Sequence, residues 1–195
     1  MARGGGMEIF EYIAVLTSII IGLGITQLLR GVARLIQHPG RYPVYWVHLL
    51  WVASMFFNMI FWWWWEFRLN EIENWTFQLY FFVVFYAFVF YLTCALLFPR
   101  DIDEYGNFKT YFFSRHTWFF GLLGFSIVID VGDSWLKGSE HFSNLGLEYI
   151  IATPVKFGLI TMAMFLKNER FHATLAIVFL AYQVMWAFRM FETVV

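Results

Sequence analysis

One lysine stands in the middle of an apolar run, in "IIATPVKFGLI", where Lys156 falls near the centre of the stretch Leu145 to Leu166. If that stretch is a membrane helix, each end lies roughly 16 Å away. A lysine side chain reaches only about 6 Å, so its ammonium stays immersed unless a partner or a water-filled cavity receives it. Asp130 and Asp133, in "IVIDVGDSW", are the natural receivers, three residues apart and therefore on one helix face. Side chains lean toward the N-terminus of their helix, so Lys156 and Asp130, on segments of opposite direction, lean toward each other across a depth gap of about 7 Å. Asn58, Gln183, Thr17 and Ser18 fall at comparable depth on other segments. Two chemistries are open to such a polar layer. It can line or gate a path for an ion or small polar solute, with Asp130, Asp133, Lys156, Asn58, Gln183 and Ser18 as its walls. Alternatively it is a buried charge pair that fixes helix register, with Asn58 and Gln183 as interhelical hydrogen-bond glue.

A second group of candidates is His48, His116 and His172, in "YWVHLLW", "SRHTWFF" and "ERFHATL". Each falls at the same end of an apolar segment, so three imidazoles at one depth would be the candidate ligands of a metal or would titrate together. No H-x-x-x-H or comparable spacing supports a metal, and no segment carries histidine at both depths, as a membrane b-type cytochrome requires. Walker, dinucleotide, G-x-S-x-G and H-E-x-x-H signatures are absent from the sequence. Enzymatic chemistry therefore has no motif behind it, and no cofactor is indicated.

The segments that must position these residues follow from composition. Of the 195 residues, 61% are hydrophobic and only 14% charged, against near half and a quarter in soluble domains, so the solvent of this chain is mostly lipid. The net charge of -1 gives no basic face for nucleic acid. Cys94 is the one cysteine, which excludes an intrachain disulfide. Runs near the roughly 20 residues that cross a bilayer predict six spans: 9–29, 44–67, 75–98, 118–136, 145–166 and 171–191. The fold class expected is thus all-α, a six-transmembrane-helix bundle in one domain over 9–195, with 1–8 as a disordered extension. Ile9 to Leu29 is expected to remain as a span, because no signal-peptide cleavage site follows it. The segment 99–116 is expected to be a surface loop. The third span reads as apolar all round, so it is expected to face lipid and to add little to the polar layer.

Arg30, Arg34, Arg41, Arg100, Lys109, Arg115, Lys167 and Arg170 gather in alternate connections. By the positive-inside rule that side is cytoplasmic and both termini lie outside. The stretch "WWWWE" then ends the second span in the outer interface. Trp62, Trp63, Trp64 and Trp65 sweep most of the helix circumference, so an aromatic belt accounts for at least three of them, while Trp62 or Trp65 can face the interior. Ala14, Ser18 and Gly22 recur every four residues and predict a close helix contact, either within the chain or between copies in a homo-oligomer. Pro154 frees a backbone carbonyl near Lys156 and predicts a bend there.

The stretch "FEYIAVLTSIIIGLGITQLLRGVARLI", with "YWVHLLW" and "LLFPRDIDEYG", resembles a group of small uncharacterised bacterial inner-membrane proteins. The resemblance runs through most of the chain after Met7 and implies a bacterial source and a self-contained six-span protein; it carries no site residues. Three functions stay open: a small transporter or channel; a non-catalytic scaffold that docks a membrane-protein partner; and an intramembrane metal- or cofactor-binding enzyme using the histidines.

Overall fold

The computed structural model describes the backbone of residues 3–72, 75–136 and 146–191. The described residues form six long helices: α1 (Arg3–Gln37), α2 (Trp46–Glu66), α3 (Phe77–Ala95), α4 (Phe108–Leu136), α5 (Gly146–Phe165) and α6 (Glu169–Phe191). A 3-10 turn, Phe67–Glu71, follows α2. All six are long and apolar enough to cross a membrane, so the chain is read as a multi-pass six-helix bundle. Their outer faces agree: Tyr12 is 70% exposed, Phe77 73% and Leu147 76%, large apolar surfaces that water would not tolerate on every helix.

Local chemistry sets several helix ends. The Thr76 hydroxyl accepts from the Leu79 amide and starts α3. Asn107 Oδ1 accepts from the Thr110 amide at 2.8 Å and starts α4. Asn168 does the same for α6 through Arg170 and Phe171. The Asn107 cap corrects one expectation. The apolar run predicts a span from Trp118, whereas α4 begins ten residues earlier, at Phe108. The stretch "FKTYFFSRH" carries charges and so breaks the apolar run, yet Phe108, Tyr111 and Phe112 are buried and hold it as helix. The connection from α3 to α4 is correspondingly short. At the other terminus of the chain, α1 is helical from Arg3.

Helices α1, α3, α4 and α5 are successive neighbours, and α2 with α6 packs against that row. The third span is therefore not a lipid-facing outlier. It lies between α1 and α4 and buries Val83, Tyr86, Ala87, Val89, Phe90, Thr93 and Cys94. An all-round apolar helix shows no preferred face in sequence, and packing on two neighbours selects one.

Close approach of α1 to its neighbours uses other glycines than the predicted stripe. A Cβ on Gly24 would fall 2.5 Å from Met59 Cε, and one on Gly31 would clash with the Phe98 ring. Nothing lies within 4 Å of a Cβ on Gly22, and Ser18 is exposed. The inward face of α1 is Ile13, Thr17, Ile21 and Leu28. Pro154 sits inside α5, which runs unbroken through it.

Candidate functional site

Toward the end where α4 finishes and α5 begins, a cavity of about 180 Å³ lies among five helices. Its walls come at helical spacing. Asn58, Phe61, Trp62 and Trp65 line it from α2, and Phe179, Tyr182, Gln183 and Trp186 from α6. Ser126, Asp130 and Ser134 line it from α4, Tyr149, Thr153 and Lys156 from α5, and Tyr86 and Phe90 from α3. Positions at i, i+3, i+4 and i+7 share one helix face, so each helix presents one polar or aromatic stripe to a common space.

Asp130 is held from two sides. Tyr86 on α3 donates its hydroxyl to Oδ1 at 3.3 Å, and Tyr149 on α5 donates to Oδ2 at 3.0 Å. The Tyr149 hydroxyl also meets Ser134 Oγ at 3.3 Å. A carboxylate offers about four lone-pair sites, so Asp130 keeps acceptor capacity beyond these two bonds.

Lys156 does not reach Asp130. They line the same cavity and attract each other electrostatically, but no carboxylate among the described residues lies within 4.0 Å of the ammonium. The predicted direct pair is thus a pair of charges held apart across a cavity. Instead, Lys156 Nζ sits 5.2 Å from the centre of the Tyr182 ring, a cation–π contact. Tyr182 donates its hydroxyl to Glu148 Oε1 at 3.2 Å, and Arg189 donates to the same oxygen at 2.6 Å. A continuous set of contacts therefore runs from Lys156 to an ion pair at the end of the bundle, joining α5 to α6.

Of the predicted layer, Asn58, Asp130, Lys156 and Gln183 come together here. Asp133 and Ser18 do not. Asp133 is buried but lies off the cavity wall, and the exposed Ser18 donates back to Val15 O at 2.8 Å in its own helix. Thr17 likewise bonds Ile13 O. Among the tryptophans, Trp62 is only 6% exposed and packs against Tyr86 and Phe90 at 5.1 and 5.4 Å, so it is a core residue rather than part of a belt. Trp65 faces Trp186 across the cavity at 5.8 Å. Trp63 is half-buried, and Trp64, 58% exposed, is the ring placed as a belt requires.

Tyr86, Tyr149, Thr153 and Tyr182 were not singled out by sequence reasoning, because tyrosine in an apolar run scores as another hydrophobe. The signal was available: Tyr149, Thr153 and Lys156 stand at i, i+4 and i+7.

His48, His116 and His172 occupy the opposite end and are all buried. His48 Nε2 donates to Leu97 O, and its ring stacks on Phe108 at 5.2 Å. His116 Nδ1 donates to Phe113 O and His172 Nε2 to Leu166 O, each at 2.7 Å. Only His116 and His172 are in ring contact, perpendicular at 5.9 Å. Among the described residues no three His, Cys, Asp or Glu side chains converge on a point that could hold a metal.

The site can therefore offer one anionic acceptor, one ammonium, the side-chain amides of Asn58 and Gln183 and aromatic walls to a small polar guest. Compared with protein-family models, with curated proteins and with solved structures, the chain finds no match, so the chemistry of the site rests on its own residues.

Proposed function

We propose that this protein is a small membrane carrier that binds a polar solute in the cavity between α2, α4, α5 and α6 and moves it across the bilayer. The observation that carries the reading is Lys156: a charge deep in an apolar segment that faces open space instead of a carboxylate. An immersed charge needs a partner, and a cavity of this size admits one. A carrier is favoured over an open channel because the opposite half is filled. Trp51, Phe119, Phe120 and Ile160 are under 2% exposed there and leave no wet path in this state.

The lysines and arginines of the 38–45, 96–107 and 166–168 connections and the adjoining helix ends support reading that filled half as the cytoplasmic face of a bacterial inner membrane. Both termini and the cavity then face outside. Cysteines introduced at His38 and Lys167, both exposed, test this, and the buried Cys94 does not interfere. Labelling of both by an impermeant reagent added outside intact cells reverses the topology. Self-association would use the outward Ser18 and Gly22 stripe of α1, since intrachain contacts leave it uncovered. Leucine at both positions should then lower the oligomeric mass in mild detergent.

Uptake of labelled small polar solutes into proteoliposomes tests the carrier reading. Uptake by wild type but not by Lys156→Met is expected; rates equal to protein-free vesicles across the panel overturn it. A second reading has its own support: the Tyr86 and Tyr149 bonds make Asp130 a cross-link between α3, α4 and α5. In a scaffold that cross-link is the whole purpose, and a membrane-protein partner would take the place of the solute.

A further inference from the structure

We infer that the solute is a zwitterion of amino-acid size, its carboxylate seated on Lys156 and its ammonium on Asp130. The inference rests on the reading of the cavity as a solute site and adds the chemical class.

The first argument is charge balance. Among the described residues, the ionisable groups lining the cavity, other than tyrosine hydroxyls, are one acid, Asp130, and one base, Lys156. Of the other charged groups near the cavity, Glu148 and Arg189 neutralise each other at 2.6 Å, and the buried acids Glu66 and Asp133 lie off the cavity wall. A guest of net charge would bring an uncompensated ion into a low-dielectric space, which is costly, whereas a guest of net charge zero with separated poles adds none.

The second argument is the separation itself. Asp130 and Lys156 share a cavity and are not in contact, so each has hydrogen-bonding capacity left for a guest lying between them. Among the described residues, all three ammonium donors of Lys156 are uncommitted to hydrogen bonds, and its ring contact is Tyr182. Asp130 accepts one tyrosine hydroxyl on each oxygen and has a lone pair left on each. Three further groups lining the space are buried without a hydrogen-bond partner: the Trp62 indole N–H, on a residue 6% exposed, the Gln183 side-chain carbonyl and the Thr153 hydroxyl. The first donates, the second accepts and the hydroxyl can do either, so the unspent capacity is itself of both kinds.

The third argument is size and wall chemistry. About 180 Å³ compares with the roughly 150 Å³ that takes a benzene molecule in an engineered cavity. Trp65, Trp186, Phe90 and Phe179 supply apolar wall for a hydrocarbon side chain.

The test uses the purified full chain in nanodiscs, with binding by calorimetry and by thermal unfolding. Leucine, its deaminated analogue 4-methylpentanoate and its decarboxylated analogue 3-methylbutylamine are compared, alongside glycine, phenylalanine and uncharged polyols. At least tenfold tighter binding of a zwitterion than of either singly charged analogue is expected. Lys156→Gln should abolish the preference over the amine, and Asp130→Asn the preference over the acid. Wild type alone decides the class if a variant does not fold. Equal binding of the acid or of the amine overturns the zwitterion and leaves a solute site for an anion or a cation. Preference for a polyol also overturns the zwitterion and keeps the carrier. Should no compound bind or shift unfolding, and proteoliposomes take up none of a wider solute panel, the carrier reading falls with it.

Discussion

The two ends of the bundle bury polar side chains by opposite means. At the basic end His48, His116 and His172 each spend one nitrogen on a backbone carbonyl and are walled in by rings: His172 alone touches Phe112, Phe113, Phe120, Phe171 and His116. At the other end Asp130 and Lys156 stand around open space, each with capacity unspent. Burial of an ionisable group is thus not by itself a mark of function. What separates the regions is whether packing has closed over the group. The aromatic end is closed by packing, and the cavity end leaves open space beside its charges.

That division makes graded predictions, with stability and binding read on the purified protein in nanodiscs and uptake in proteoliposomes. Phe120→Ala, which empties a ring packed on Trp51, Phe119 and His172, should cost about 3–5 kcal/mol of stability in denaturant titration. The folded fraction should keep its solute affinity. A cost below about 1 kcal/mol would mean that the aromatic end is loosely packed and the contrast is wrong.

Asp130→Leu should cost less, about 1–3 kcal/mol, because it strands the hydroxyls of Tyr86 and Tyr149 without opening a void. Adding Tyr86→Phe and Tyr149→Phe should recover part of that loss, a coupling that a double-mutant cycle reads directly. Full additivity would show that the cross-link does not exist in the bilayer.

Lys156→Met sharpens the comparison most, because the two readings of the cavity diverge on it. Held apart from Asp130, the lysine should be replaceable with less than about 1 kcal/mol lost or even with a gain, while solute uptake stops. Breaking a contacting buried pair costs about 3–5 kcal/mol instead, and a loss of that size would make Asp130 and Lys156 a structural clamp.

The smallest effect is expected from Glu148→Gln. Its pair with Arg189 is half exposed, so the unfolding temperature should not move measurably, but Tyr182 loses its charged acceptor above Lys156. Solute on-rate should change while equilibrium stability does not. An unchanged on-rate detaches the rim from the site.

Much of this was legible before any coordinates. Apolar length alone gives six spans, and the alternation of basic connections sorts their ends. Depth along a helix is arithmetic, about 1.5 Å per residue, so the common level of Asn58, Asp130, Lys156 and Gln183 can be read from the chain, and those four do line one cavity. Azimuth is different. Which face of a helix turns inward depends on its neighbours, and in a chain whose lipid-facing and buried surfaces are equally apolar the sequence carries little rotational signal. Only the packed bundle decided that Ser18 turns outward while α3 supplies Tyr86, and that Trp62 and Trp65 turn toward the cavity while Trp64 turns away. Only the packed bundle also decided that Asp130 meets two tyrosines rather than the lysine. The reach of a side chain sets which partners are available, and the competition among hydroxyl, ammonium and ring for the same oxygen is settled by helix positions that no single span encodes.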